Sequence, residues 1–109
     1  MSAITTHILD TVLGKPAAAI GVTLEKRTGD AWAIVNAGIT DADGRCRDLA
    51  SAAGEGVYRI TFASAIYLEA QGRTTIYPEI AITFRCDGKS HYHLPVLLTE
   101  NSYTTYRGS

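Results

Sequence analysis

The stretch Ile20-Gly21-Val22-Thr23-Leu24-Glu25-Lys26-Arg27-Thr28-Gly29-Asp30-Ala31-Trp32-Ala33-Ile34-Val35-Asn36 decides the fold. From Ile20 to Lys26 the side chains alternate, Val22 and Leu24 toward one face, Thr23 and Glu25 toward the other. That is the period of a strand with one buried side. Arg27-Thr28-Gly29-Asp30 supplies a turn, and Trp32 to Asn36 returns as the next strand. Together they predict an antiparallel hairpin.

The pattern continues outward in both directions. Toward the N-terminus, Ile4 to Val12 reads as a first strand, ended by Gly14-Lys15-Pro16 because Pro16 has no N–H for a ladder. Toward the C-terminus, Asp41-Ala42-Asp43-Gly44 is a second turn, where short Asp side chains cap local backbone and Gly permits positive φ. Gly56 to Phe62 is another strand. Ser64 to Gln71 holds good helix formers, with Ser64 as N-cap and Gly72 as the stop. Ile76 to Arg85 and His91 to Leu98 read as strands joined by a hairpin at Cys86-Asp87-Gly88-Lys89, and Tyr103 to Tyr106 as a last short strand. The prediction is an all-β sandwich of seven or eight strands with one short helix, without a parallel sheet because alternating long helices are missing. Residues 1–109 are read as one domain.

Composition narrows the function. Ten basic and eleven acidic residues give a net charge of -1, which argues against a nucleic-acid partner, since that calls for a strongly basic face. No apolar run reaches membrane-spanning length. Met1 to His7 lacks the basic and apolar regions of a secretory signal, and Arg107-Gly108-Ser109 is not a peroxisomal address, so a cytoplasmic protein is expected. Cys46 and Cys86 stand apart in no CxxC arrangement and are read as reduced thiols.

Three histidines offer chemistry. His91 and His93, two apart, project from one face of one strand; His7 shares a face with Thr5 and Leu9. Each has a plain reading as a polar residue on a solvated face. The H-x-H pair with His7 as a third ligand would make a zinc site, provided that the strand of His7 lies beside that of His93. Without a metal, a neutral imidazole takes a proton from water and a cation such as Arg45 steadies the resulting oxyanion. Arg45 follows the Asp43-Gly44 turn, at an element boundary where functional residues often sit; its plain reading is a surface arginine. Cys46, flanked by Arg45 and Arg47, is a weaker candidate nucleophile. Asp41-Ala42-Asp43-Gly44 is no calcium loop: with Gly44 at position six, Ile39 and Ala50 fall where acidic ligands are needed.

Three stretches carry a family resemblance: Thr6-His7-Ile8-Leu9-Asp10 followed by Gly14-Lys15-Pro16-Ala17; Thr40-Asp41-Ala42-Asp43-Gly44-Arg45; and His91-Tyr92-His93-Leu94-Pro95-Val96-Leu97-Leu98 running into Tyr106-Arg107-Gly108-Ser109. Together with Tyr77-Pro78-Glu79-Ile80 they resemble the 5-hydroxyisourate hydrolases, which share the transthyretin-like (prealbumin-like) sandwich. The terminal tetrapeptide is the most specific and separates these hydrolases from transthyretin proper. Cys46-Arg47-Asp48 and Ser51 to Gly54 look like loop variation, and Thr99-Glu100-Asn101-Ser102 departs from the family's Ser-Pro-containing turn.

The resemblance implies hydrolysis of 5-hydroxyisourate to 2-oxo-4-hydroxy-4-carboxy-5-ureidoimidazoline, by water attack on a ring amide carbonyl and without cofactor or metal. It implies a catalytic set of His7, Arg45, His93 and Ser109, with Tyr106, Arg107 and Gly108 helping to bind substrate. Either His7 or His93 would be the base, and His91 has no role in the set. The family's assembly is a homotetramer, a dimer of dimers with sites between the dimers. A transthyretin-like carrier of small ligands is the competing reading, and a plain structural sandwich is another.

Overall fold

The computed structural model describes residues 1–109. Two sheets face each other. The first contains β1 (Ser2–Asp10), β2 (Lys15–Pro16), β5 (Arg45–Ala53), β8 (Tyr92–Leu98) and β9 (Tyr103–Thr105); the second runs in the order β4 (Ala31–Ile39), β3 (Gly21–Thr28), β6 (Gly56–Phe62), β7 (Ile80–Cys86). One helix, α1 (Ser64–Glu69), links β6 to β7. The expected all-β sandwich with one short helix is what the chain forms.

Alternation fills the space between the sheets. Ile4 and Ile8 of β1, Val22 and Leu24 of β3, Ile60 and Phe62 of β6, and Val96 and Leu98 of β8 are buried there. Each such side chain contributes roughly 1.5–3 kcal/mol of transfer free energy. The other face of β1 carries Ala3, Thr5, His7 and Leu9, all partly exposed. The β3–β4 hairpin forms as read, with Thr28 opposite Ala31 and Gly29 at φ 65° in the two-residue loop.

Several expectations are corrected. The first sheet is mixed: β1 pairs β8 in parallel, Thr5 opposite His93 and His7 opposite Pro95. The absence of long helices excludes only strand–helix–strand crossovers, and here the connection passes through the second sheet. The Asp87-Gly88 turn exists, but β7 pairs β6 while β8 pairs β1 and β9, so it is a link between sheets and not a hairpin. Asp87 shapes that link by accepting the N–H groups of Lys89 and Ser90, while the Tyr92 hydroxyl accepts the N–H of Asp87. The residues read as a loop after Arg45 form strand β5. Ser64 is the first helical residue and not the cap; its buried hydroxyl has no hydrogen-bond partner. The remaining strand ends shift by up to four residues, the largest at the start of β7.

Candidate active site

The outward face of the first sheet gathers the chemistry. Parallel pairing puts Thr5 beside His93 at the centre. Antiparallel pairing of β5 on the other edge of β1 sets His7 opposite Arg45. A backbone bridge from the Gly108 N–H to the His93 carbonyl, 2.8 Å, brings the C-terminal segment over β8. The result is a shallow pocket of about 280 Å³ bordered by Thr5, Arg45, Arg47, His91, His93 and Ser109, with no hydrophobic side chain in its wall.

Arg45 is aimed by the turn before it. The Asp41 carboxylate accepts the N–H groups of Arg45 (3.0 Å) and Asp43 (2.9 Å). The Arg45 bond is the largest of the effects that hold the Asp41 carboxyl below its usual value, with burial opposing. Gly44, at φ 75°, is obligatory: a Cβ there would stand 2.3 Å from the carbonyl oxygen of Ile8. Upstream, the buried Thr40 hydroxyl donates to the Ala17 carbonyl and accepts the Ile20 N–H, each at 2.9 Å. This ties the end of β4 to the entry of β3. The Arg45 guanidinium has no carboxylate partner within the chain.

His93 is held by its Nδ1, 2.8 Å from Thr5 Oγ1, and its Nε2 has no partner in the chain. Burial is the main influence lowering its pKa, joined by the charges of Arg45, His91 and His7. His93 is therefore neutral at neutral pH, the form a base requires. His91 Nε2 lies 2.9 Å from the same Thr5 oxygen. His7 is on the same face, near enough for its charge to act on His93, though it does not border the pocket.

Of the C-terminal residues, Ser109 enters the pocket wall. Arg107 turns aside, stacking its guanidinium 4.4 Å over the Tyr92 ring and donating to the His91 carbonyl. Tyr106 is exposed and outside the pocket of a single chain. Thr5 and Arg47 were not anticipated. A threonine in a strand gives no sequence signal, and only the register with His93 reveals Thr5.

Two chemical alternatives are corrected or reshaped. The condition set for a zinc site is met in part, since β1 does lie beside β8, yet no three His, Cys, Asp or Glu side chains are grouped to hold a metal. Cys46 is buried, and burial raises its pKa, aided by Asp48 and Asp41, so it is no activated nucleophile. Both cysteines are free thiols.

Comparison with known proteins places the whole chain in a family. Residues 4–108 match the family model described as HIUase/Transthyretin family. A 5-hydroxyisourate hydrolase of Salmonella dublin is 42% identical over 106 residues, covering 94% of this chain and 78% of the relative. The solved structure of Klebsiella pneumoniae 5-hydroxyisourate hydrolase superposes with a TM-score of 0.88 at 34% identity, covering all of this chain and 94% of the other. Sea bream transthyretin in complex with thyroxine superposes with a TM-score of 0.93 at 32% identity, covering 97% and 94%. Backbone shape thus fits hydrolase and carrier alike, while the model match and these identities over nearly the whole chain settle its membership: the chain belongs to the HIUase/transthyretin family.

Proposed function

We propose that the protein is a 5-hydroxyisourate hydrolase of urate degradation, with His93 as the general base. The observation that carries this reading is the neutral His93 with a free Nε2 beside the unpaired Arg45 guanidinium in a pocket lined only by polar and charged residues. Water gives its proton to His93 Nε2 as its oxygen attacks the ring amide carbonyl. Arg45 offsets the charge gathering on the carbonyl oxygen, its fork of donors matching a planar, electron-rich substrate. Opening the C–N bond returns a proton to the leaving nitrogen and yields the ring-opened acid. His7 adds to the field around the site, and Ser109, placed by Gly108, closes one side. Tyr106 and Arg107 support substrate binding through the placing of that segment.

The carrier reading rests on the likeness to sea bream transthyretin. Against it stands the pocket wall, which offers an apolar ring no hydrophobic side chain to pack against. A homotetramer with sites between dimers is part of the proposal. It is supported by the open shape of the pocket, by exposed Ile34 and Ile39 on edge strand β4, and by unpaired edges at β7 and β9.

The test follows the ultraviolet absorbance of freshly made 5-hydroxyisourate with and without the protein. Wild type is expected to speed its decay strongly, and His93→Ala to lose roughly 10²–10⁴-fold in kcat, the usual share of a general base. Decay no faster than in buffer sinks the hydrolase reading and leaves the carrier reading to be tested by ligand binding.

A further inference from the structure

Thr5 Oγ1 stands between two imidazoles, 2.8 Å from His93 Nδ1 and 2.9 Å from His91 Nε2. The hydroxyl has one proton and each neutral ring has one N–H. Two chains of donation run through the hydroxyl from one ring to the other; in a third arrangement both rings donate to Thr5, whose own proton points elsewhere, and His93 carries Nδ1–H. In the first, His93 Nδ1–H donates to Thr5 and the Thr5 hydroxyl donates to His91 Nε2, leaving a lone pair on His93 Nε2. In the second, His91 Nε2–H donates to Thr5 and Thr5 donates to His93 Nδ1, so the proton of His93 sits on Nε2 and the ring cannot act as a base there. The first chain also survives the reaction unchanged, because His93 keeps its Nδ1–H when Nε2 takes the proton from water.

We propose that Thr5 and His91 form a relay that fixes the productive tautomer of His93, His91 being the terminal acceptor. This deepens the hydrolase reading and rests on it for its kinetic consequence. His91 is then a positioning residue, which accounts for a second histidine at a place where no catalytic role is needed. Its backbone is braced from the far side, where Arg107 donates to the His91 carbonyl while stacking on Tyr92. The charged and titratable groups facing the pair are Arg45 and Arg47 from β5, His7 from β1 and Arg107 from the C-terminal segment. None of these is hydrogen-bonded to Thr5 Oγ1 or to either ring, so the relay is closed by Thr5 alone.

Thr5→Val keeps the shape of the side chain and removes the hydroxyl; Thr5→Ser restores it. His91→Ala removes the acceptor; His91→Gln places an amide oxygen near the position of Nε2. Thr5→Val and His91→Ala are expected to lower kcat about tenfold, a fraction of what the base itself supplies, with little change in KM. Thr5→Ser and His91→Gln are expected to recover most of it. In the full-length protein labelled with ¹⁵N, long-range proton–nitrogen spectra of the imidazoles read the tautomer directly. His93 is expected in the Nδ1–H form in wild type and to move toward Nε2–H in Thr5→Val and His91→Ala. A His93 found as Nε2–H in wild type, or unmoved by both substitutions, overturns the relay. Wild type that fails to hydrolyse 5-hydroxyisourate overturns the activity instead, and the spectra still decide the relay.

Discussion

Gly108 lacks a side chain for a steric reason and not a conformational one. A Cβ there would lie 2.8 Å from His93 Cδ2 and 3.1 Å from Pro95 Cγ. Gly108→Ala must therefore push the imidazole aside or lift the C-terminal segment from β8. The expected outcome is a loss in kcat/KM on the order of 10²-fold, since a misplacement of about 1 Å has that effect on catalysis. The melting temperature should move far less, because the segment lies at the edge of the fold. Kinetics and a melt on the same sample check this, and a normal kcat/KM would show that the ring is not held by this contact. The terminal tetrapeptide was legible as a motif, but not the division of labour inside it. In the folded chain Gly108 makes room, Ser109 borders the pocket and Arg107 stacks on Tyr92.

At the scale of elements, the end of β1 is tied to the far side of α1. Asp10 is buried, accepts from Arg73 Nη1 at 2.6 Å and from the Tyr67 hydroxyl at 2.9 Å, and Arg73 also pairs with Glu100. Burial raises the Asp10 carboxyl, but the bonds from Arg73, the Leu13 N–H and Tyr67 outweigh it and bring the value from 3.8 to about 2. A folded-state value below the unfolded one means that the contribution is whole above about pH 4 and is lost as pH falls through about 2. Arg73→Ala should cost about 3 kcal/mol at neutral pH by leaving a buried carboxylate without its cation, and should shrink the loss of stability on the acid side. Urea titrations at pH 7 and pH 3 measure both; equal stabilities of variant and wild type at pH 7 would show the pair to be neutral. Strands with strict alternation, such as β3 and β6, were readable from the sequence. Strand β5 was not: bulges between its pairings with Ser2, Ile4 and Thr6 break the two-residue period, so its buried positions Cys46, Leu49 and Ala53 follow no simple rule. The link at Asp87-Gly88 misled for a different reason. A tight turn fixes a reversal of the chain, but not which sheet the next strand joins.

For the whole molecule, the candidate site was legible as a set of residues and illegible as a place. Arg45, His93 and Ser109 come from two strands and the C-terminal segment to one pocket, with His7 on a third strand beside it, and no local pattern announces that arrangement. One chain offers only a shallow floor, so the proposed tetramer has a direct readout. Sedimentation equilibrium should give the mass of four chains, and specific activity should fall on dilution into the range where the assembly separates. A fully active monomer would remove the need for a neighbouring wall. The parallel pairing of β1 with β8, Ile4 beside Tyr92 and Thr5 beside His93, has a consequence in time. Contacts between segments so far apart in sequence are slow to close, because a long loop of chain must be ordered first. During synthesis the first strand emerges long before its partner and must wait with its apolar side uncovered. Until β8 has left the ribosome no floor exists on which the two histidines can share a hydroxyl, so appearance of activity in a translation reaction would clock a late step of folding.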